Sequence, residues 1–277
     1  LFAVKVGGII INNTDNILVS AIDTLTVGYM ANYSTVTVRL QELLTIFHNS
    51  ILYSLGIASV EKGAEEKYQL FRKVVLIDQY VVGVICVCTG VLWHDFISVW
   101  LGKEYLISDA LMYSVLLNFM WRVQVTPLAM FRDTNGLFVY VRRMVLINAG
   151  LNIVLSLAFG RVIGVPGVYI ATVIADILTD FWFDARLLYE KLFRRKGFWK
   201  YDLVAFGTCC ANLVVVYLLR RALDGLGASL PMWVVKGAVA ALAYTLVYVL
   251  VCGRTQVFRD VVNQIVLPRL RRKKADR

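Results

Sequence analysis

The sequence predicts an all-α fold, a polytopic membrane helix bundle with eight transmembrane helices. Of its 277 residues, 59% are hydrophobic and 17% are charged, whereas soluble domains contain roughly 25% charged residues. The charges fall in short clusters between apolar runs, whose lengths approach the ~20 residues that a helix needs to cross a bilayer core. Basic residues alternate between successive loops, as they do in multi-pass membrane proteins.

Each predicted helix corresponds to one apolar run. In chain order, the runs cover residues 3–25, 27–53, 74–100, 107–130, 138–159, 164–185, 203–221 and 231–252. Polar residues interrupt the first two runs most often, and the other six are more continuously apolar. We expect all eight to span the membrane because the distribution of basic residues requires every one of them.

The basic residues set the predicted orientation. Four segments, 57–73, 132–143, 184–202 and 254–277, contain 21 of the 29 Lys and Arg residues. The loops between them contain only Lys103, Arg161, Arg220, Arg221 and Lys236. Since cytoplasmic loops carry the positive excess, both ends of this chain are predicted to lie in the cytoplasm.

Composition argues against several other classes of protein. The net charge of +10 is dispersed over loops, so we expect no nucleic-acid partner. The five cysteines lie in or beside apolar runs without a C-x-x-C pair, which predicts buried thiols and no disulfide or zinc site. No nucleophile elbow, P-loop or G-x-G-x-x-G motif is present. We therefore expect neither an enzyme nor a bound metal or cofactor.

The C-terminal tail leaves two interpretations open. Its apolar residues Phe258, Val261, Val262, Ile265 and Val266 have helical spacing, and four basic residues, 271–274, follow them. The tail is either an amphipathic helix on anionic membrane lipids or a solvated basic segment.

Polar residues inside the predicted spans carry the functional signal, because a charge near the bilayer centre costs about 2.5–3.5 kcal/mol. Helical spacing aligns them in stripes. The first span contains Lys5, Asn12, Asn16, Ser20 and Asp23 in one stripe, flanked by Asn13 and Asp15. The later stripes are Asn32, Arg39 and Glu42, then Asn118, Arg122 and Thr126, and lastly Asp176, Asp180 and Asp184.

Two explanations of these stripes remain. The Asn and Ser side chains could join helices by hydrogen bonds, as polar groups in membranes do. The charged residues fit that explanation poorly, since ion pairs are expensive to desolvate. A water-filled cavity lined by the first, second and fourth spans would keep Lys5, Asp15, Arg39 and Arg122 hydrated. Such a cavity favours transport.

Four segments resemble a known family. They are NNTDNILVSAIDTLTVGYMANYS, SVWLGKEYL, FRDTNGLFVYVRRMVLINAGLNIVLSLAF and IGVPGVYIATVIADILTDFWFDARLLYEKLF. In their order and spacing, over about residues 8–195, they resemble the C-terminal half of polysaccharide flippases. These are the O-antigen and capsule exporters of the multidrug/oligosaccharidyl-lipid/polysaccharide exporter superfamily.

The resemblance implies a lobe like the C-terminal one of the MATE transporters in that superfamily. It implies six transmembrane helices over 1–200, two additional helices over 201–252 and a basic cytoplasmic tail over 253–277. It also implies a preceding N-terminal lobe, so we expect this chain to be a fragment. Such flippases move undecaprenyl-pyrophosphate-linked sugar repeat units across the bacterial inner membrane, and many are coupled to an ion gradient.

We hypothesise alternating access, in which the two lobes rock about a central site. Under this hypothesis Arg39, Arg122 and Lys5 attract the pyrophosphate, and the lipid tail stays in the bilayer. Asparagines bind the sugar hydroxyls, and the candidates are Asn12, Asn16, Asn32 and Asn118. Asp15, and after it Asp176, is the candidate carboxylate for coupling to H⁺ or Na⁺.

Other functions stay open at this point. A multidrug or cation antiporter of the same superfamily would share the architecture but should have acidic cavities for cationic drugs. A lipid II flippase is a closer alternative. A membrane-embedded glycosyltransferase or polymerase should have catalytic carboxylates in a large loop outside the membrane, and no loop of this chain is long enough.

Overall fold

The computed structural model describes residues 17–59, 63–227 and 229–263, with the backbone alone for 52–59. Within these ranges every regular element is helical. The helices are α1 (Thr24–Ser59), α2 (Ala64–Trp100), α3 (Asp109–Gln124), α4 (Thr126–Thr134), α5 (Phe138–Ile163), α6 (Val165–Leu192), α7 (Trp199–Leu223), α8 (Leu230–Cys252) and α9 (Gln256–Val261). Residues 17–22 are also helical.

Five helices are long and apolar enough to cross a membrane. They are α2, α5, α6, α7 and α8, with 23 to 37 residues each. Their lengths exceed the ~20 residues that a bilayer core requires. These helices confirm five of the predicted spans by length and composition, and they indicate a multi-pass membrane protein. The count of eight stays a prediction.

The predicted span over 107–130 is broken into two helices. Ser108 starts α3, since its hydroxyl accepts a hydrogen bond from the amide of Leu111 at 3.4 Å. A turn at Val125 interrupts the helix, and Pro127 occupies the first turn of α4. Proline has no backbone N–H and is tolerated only at the start of a helix. With 16 and 9 residues, each piece alone is shorter than a span.

The first two predicted spans have different outcomes. Most of 3–25 lies outside the described residues. The run over 27–53 lies within α1, a continuous helix of 36 residues, which is not among the helices apolar enough to cross a membrane. Asp23, expected in a polar stripe of the first span, instead caps α1: its carboxylate accepts hydrogen bonds from the amides of Leu25 and Thr26 at 3.0 and 3.2 Å. Such caps satisfy the amides that a helix N-terminus leaves without partners.

Helix α1 contacts the bundle through one narrow stripe. Met30, Tyr33, Leu44 and His48 are buried along it, while more than half of the other described side chains of α1 are exposed. The His48 Nε2 atom lies 2.6 Å from the Asp78 Oδ1 atom of α2, and both side chains are buried. This polar contact attaches the long helix to the centre of the bundle.

Helix α2 is central, packing against α1, α3, α4, α7, α8 and α9. The hydroxyls of Tyr244 and Tyr248 on α8 donate hydrogen bonds to the α2 carbonyls of Gln79 and Leu76, at 3.2 and 2.6 Å. Tyr244 fits because Gly83 has no side chain: a Cβ there would lie 1.8 Å from its hydroxyl oxygen. Small residues allow such close helix contacts in membranes.

Loops predicted to share the basic side of the membrane meet at one end of the bundle. There α2 begins, α4 turns into α5, and α6 ends. Lys67 donates a hydrogen bond to the Asn135 side chain at 3.3 Å, and Arg195 forms an ion pair with Glu65 at 2.5 Å. We call this end the basic end.

The poorly basic loops meet at the opposite end. Arg220 at the end of α7 pairs with Asp109 at 2.8 Å and lies 3.1 Å from the His94 ring nitrogen. Lys236 near the start of α8 pairs with Asp95 at 2.6 Å. These contacts agree with the predicted separation of segments 57–73, 132–143 and 184–202 from the poorly basic loops, and the orientation in the membrane stays a prediction.

The cysteine prediction was partly wrong. Cys86 and Cys209 are buried, and Cys88 and Cys252 are half-buried, but Cys210 is exposed on α7. Adjacent residues of a helix point about 100° apart, so Cys209 faces the bundle and Cys210 faces outward.

Helices α5 and α6 pack closely at Gly167, where an added Cβ would lie 2.3 Å from the Phe159 carbonyl oxygen. We expect Gly167→Ala to lower the stability of the purified protein by about 1–3 kcal/mol, because backbone cannot move aside easily. Gly150→Ala is the matched control, since no atom lies within 4 Å of its added Cβ. Alanine there should be neutral or stabilise α5 by up to ~1 kcal/mol. Thermal unfolding in detergent measures both, and equal midpoints would contradict this packing.

Candidate functional site

A polar groove lies between α1, α3 and α6, with a volume of about 820 Å³. Helix α1 contributes hydroxyl, amide and carboxylate side chains, and α3 contributes an amide and a guanidinium. These residues are Ser34, Thr37, Gln41, Glu42, Thr45, Asn118 and Arg122. On α1 the polar face adjoins the buried stripe, so one helix both packs on the bundle and lines the groove.

The structure brings together two of the predicted substrate-binding residues. Asn118 and Arg122 lie four residues apart on α3 and both line the groove. The Asn118 side chain donates a hydrogen bond to the Tyr169 carbonyl of α6 at 3.3 Å, which fixes its orientation. Sequence spacing alone predicted this pairing, because residues i and i+4 share a helix face.

Arg39 does not line the groove with Arg122. Its side chain is 74% exposed and pairs with Glu42 at 2.9 Å. It borders two neighbouring cavities instead, of about 480 and 400 Å³. Asn32 is half-buried on α1 and is not among the groove residues. Arg39 and Arg122 therefore border different cavities, and the predicted binding roles of Arg39 and Asn32 stay predictions.

Four predicted site residues lie outside the described residues. They are Lys5, Asn12, Asp15 and Asn16. Their roles stay predictions.

A second cavity, of about 220 Å³, lies between α3, α4 and α6. We call it the carboxylate chamber, because Asp176, Asp180 and Asp184 line it. Arg122 also lines it. The guanidinium-bearing side chain of Arg122 thus borders both the groove and the chamber.

Asn148 of α5 joins two of these carboxylates. Its amide nitrogen donates hydrogen bonds to Asp176 at 2.6 Å and to Asp180 at 2.9 Å. The two bonded oxygens therefore lie within about 5.5 Å of each other. Two full negative charges at that distance would repel by about 3 kcal/mol at an effective dielectric constant of ~20. A proton or a cation would relieve this repulsion.

Arg132 lies beside the chamber, next to the Asp184 carboxylate that lines it. It forms a buried ion pair with Asp184 at 2.6 Å and contacts Asp133 at 2.7 Å. Burial by itself lowers the pKa of Arg132, but the hydrogen bond to Asp133 and the charge of Asp184 together raise it above its usual value. Arg132 therefore stays positively charged in place.

A π-helical turn, Ile177–Phe181, separates Asp176 from the next turn of α6 and contains Asp180. Such widened turns are rare and are found frequently at functional sites. The chamber lies at this irregular segment of α6. Sequence periodicity does not reveal a π-helical turn.

The sequence interpretation did not single out Asn148 or assign Arg132 to the site. A signal existed for Asn148: Asn148, Asn152 and Ser156 are spaced four residues apart on α5, which is a polar stripe on an apolar helix. By its position in the sequence, Arg132 is only one of the basic loop residues that indicate the membrane orientation. Its partner lies 52 residues away in sequence, so only the fold shows the pair.

No protein-family model, curated protein or solved structure matches this chain at a significant level. The flippase resemblance therefore stays a prediction from the sequence. The functional assignment rests on the geometry of the groove and the chamber.

We expect Arg132→Ala to destabilise the protein by about 3–5 kcal/mol, because it leaves the buried Asp184 carboxylate without its partner. Arg186→Ala is the control, since Arg186 pairs with Glu190 on an exposed surface. Removing that surface pair should cost less than about 1 kcal/mol. Thermal unfolding of both variants in detergent measures the difference. If both variants lost a similar amount of stability, the Arg132–Asp184 pair would contribute no more than an exposed surface pair, which would contradict this prediction.

Proposed function

We propose that this chain is part of a membrane transporter without catalytic activity, which moves lipid-linked oligosaccharide repeat units across the bacterial inner membrane. It works by alternating access together with an N-terminal lobe. The support is a polar groove beside an acidic chamber within a bundle of apolar helices. The sequence resemblance to polysaccharide flippases agrees with this assignment.

The position of Arg122 carries the proposal. This one cationic side chain borders the groove, where a ligand fits, and the chamber, where Asp176 lies. Guanidinium groups bind phosphate oxygens through paired hydrogen bonds. A pyrophosphate bound in the groove would therefore interact with Arg122. The charge of the chamber interacts with the same residue. That connection is what an ion-coupled transporter of an anionic ligand requires.

The two volumes suit different ligands. Small-molecule pockets commonly measure about 300–1,000 Å³, and the groove of about 820 Å³ lies within that range. The sugar-pyrophosphate headgroup would bind there, and the lipid tail would remain in the bilayer. The chamber of about 220 Å³ is smaller than that range, so it suits ions and water.

Further roles follow from the predicted residues. Asn118 and the amide and hydroxyl side chains of α1 bind sugar hydroxyls, as do Asn12, Asn16 and Asn32. Arg39 and Lys5 attract the anionic headgroup before it reaches Arg122. Asp15 and Asp176 are the coupling carboxylates for H⁺ or Na⁺. The basic end faces the cytoplasm, in keeping with the positive excess of cytoplasmic loops.

A cation or multidrug antiporter is the second candidate, favoured by the three carboxylates of the chamber. The size of the chamber disfavours it, because a drug-sized cation needs more volume than about 220 Å³. A lipid II flippase would use the same groove, and only the choice of sugar substrate distinguishes it.

We expect Arg122→Gln to slow translocation about tenfold or more, since a hydrogen bond to a charged group contributes about 1.5–3 kcal/mol. The intact protein is reconstituted in vesicles with a fluorescent undecaprenyl-pyrophosphate oligosaccharide. Translocation is the fraction of sugar that becomes protected from an added glycosidase.

Arg143→Gln is the matched control, because it removes the same charge from an exposed position on α5. It should leave the rate unchanged. An unchanged rate in Arg122→Gln would contradict the proposal. Uptake of a cationic dye in place of the oligosaccharide would favour the antiporter, and preference for lipid II would favour that flippase.

A further inference from the structure

A row of polar side chains replaces apolar packing between α5 and α6. Helix α6 contributes Thr172, Asp176, Asp180 and Asp184, and α5 contributes Asn148, Asn152 and Ser156. We call this row the polar seam. From Thr172 to Asp184 it extends over about 18 Å at 1.5 Å per residue, more than half of a bilayer core of ~30 Å.

Several oxygen atoms of the seam are buried without a hydrogen-bond partner among the described residues. They are Asn148 Oδ1, Asn152 Oδ1, Ser156 Oγ, Asp180 Oδ1 and Asp184 Oδ1. The residues Asn148, Asn152 and Ser156 are at most 1% exposed. Buried polar atoms are almost always hydrogen-bonded, so a row of such oxygens indicates a ligand that supplies hydrogens. Water and protons have that chemistry.

We propose that Asp176 and Asp180 hold one proton between them, and that Asp184 relays this proton between the pair and the basic end. The pair is defined by Asn148, whose single amide nitrogen donates to both carboxylates at 2.6 and 2.9 Å. Two ionised carboxylates in one site are unfavourable, and a shared proton removes one of the two charges.

The geometry favours a proton over a metal cation. Hard metal cations bind oxygen ligands. Asn148, however, presents its N–H groups, and not its oxygen, to both carboxylates. Arg122 and Arg132 also face the pair and its relay from α3 and α4, and Asp133 is the remaining charged group there. The two guanidinium groups oppose the uptake of any positive charge, but a proton, unlike a metal cation, needs no shell of several oxygen ligands and can be held between two carboxylates.

The relay step conserves its atoms. An O–H bond of the Asp176–Asp180 pair breaks, and a new O–H bond forms on Asp184. The Asp184 Oδ2 atom is held by Arg132 at 2.6 Å, while its Oδ1 atom has no partner among the described residues and can accept the proton. The proton then passes to solvent at the basic end, so the step needs no other reactant.

In the proposed transport function this proton couples to substrate binding, and this part of the inference rests on that function. When the pair is protonated, the chamber holds one negative charge less beside Arg122. Arg122 then attracts an anionic headgroup in the groove more strongly. Proton loading and substrate binding would therefore favour each other, as linkage requires.

Carbodiimide labelling tests the shared proton without transport. Dicyclohexylcarbodiimide reacts with protonated carboxyl groups in apolar surroundings, and mass spectrometry of the purified full chain locates the adduct. We expect one adduct per labelled chain, at Asp176 or Asp180 but not both, with a yield that falls as pH rises. The exposed carboxylate of Asp133 should remain unlabelled. Two adducts on the same chain, or none at any pH, would overturn the proposal.

A neutral neighbour provides the sharper test. Asp176→Asn should abolish the adduct at Asp180, because the remaining carboxylate no longer needs a shared proton. Asp133→Asn is the control and should leave the adduct in place. If Asp176→Asn does not fold, Asp180→Asn gives the reciprocal test, with loss of the adduct at Asp176. Persistence of the neighbouring adduct in either folded variant would show two independent protons.

The two proposals can fail separately. Loss of oligosaccharide translocation with an intact labelling pattern would remove the substrate assignment and keep the proton pair. Normal translocation with independent labelling of the two carboxylates would remove the pair and keep the substrate assignment.

Discussion

The structure depends on one constraint: a charged side chain inside this bundle needs a partner of opposite charge or a hydrogen-bond donor. Burial in surroundings of low dielectric constant makes an isolated charge too costly. Three buried or partly buried contacts, each 2.6 Å long, satisfy the constraint, namely His48–Asp78, Arg132–Asp184 and Lys236–Asp95. They attach α1 to α2, α4 to α6 and α8 to α2. The same contacts that neutralise charges therefore fix how these helices are arranged.

Other buried polar groups lie in the carboxylate chamber, where the charges have fewer partners than they need. In the carboxylate chamber, Asp176 and Asp180 share the single amide of Asn148. A site with more negative charge than its fixed partners neutralise can take up a mobile positive charge. Arg122 connects this chamber to a groove large enough for a headgroup. This incomplete neutralisation would weaken a purely structural core, and it is the basis of the transport chemistry that we propose for this region.

Local sequence patterns predicted the features that depend on local spacing. Asn118 and Arg122 share a face because they lie four residues apart, and the structure places both in the groove. Asp176, Asp180 and Asp184 line one chamber for the same reason. Arg39 shows the limit of such reasoning. Its spacing places it on a polar face of α1, but its exposed pairing with Glu42 depends on how α1 is rotated against the bundle.

The sequence by itself determined the helical, membrane-compatible character of the chain and the division of its loops between two ends. Hydropathy and charge are summed along the chain, so they need no knowledge of contacts. Only the tertiary structure decided the partners of the buried charges, the break at Val125 and the π-helical turn beside Asp176. Asn148 and Arg132 became site residues because helices distant in sequence pack together. Pairing across helices depends on rotation and depth, and neither quantity is encoded in the periodicity of a single segment.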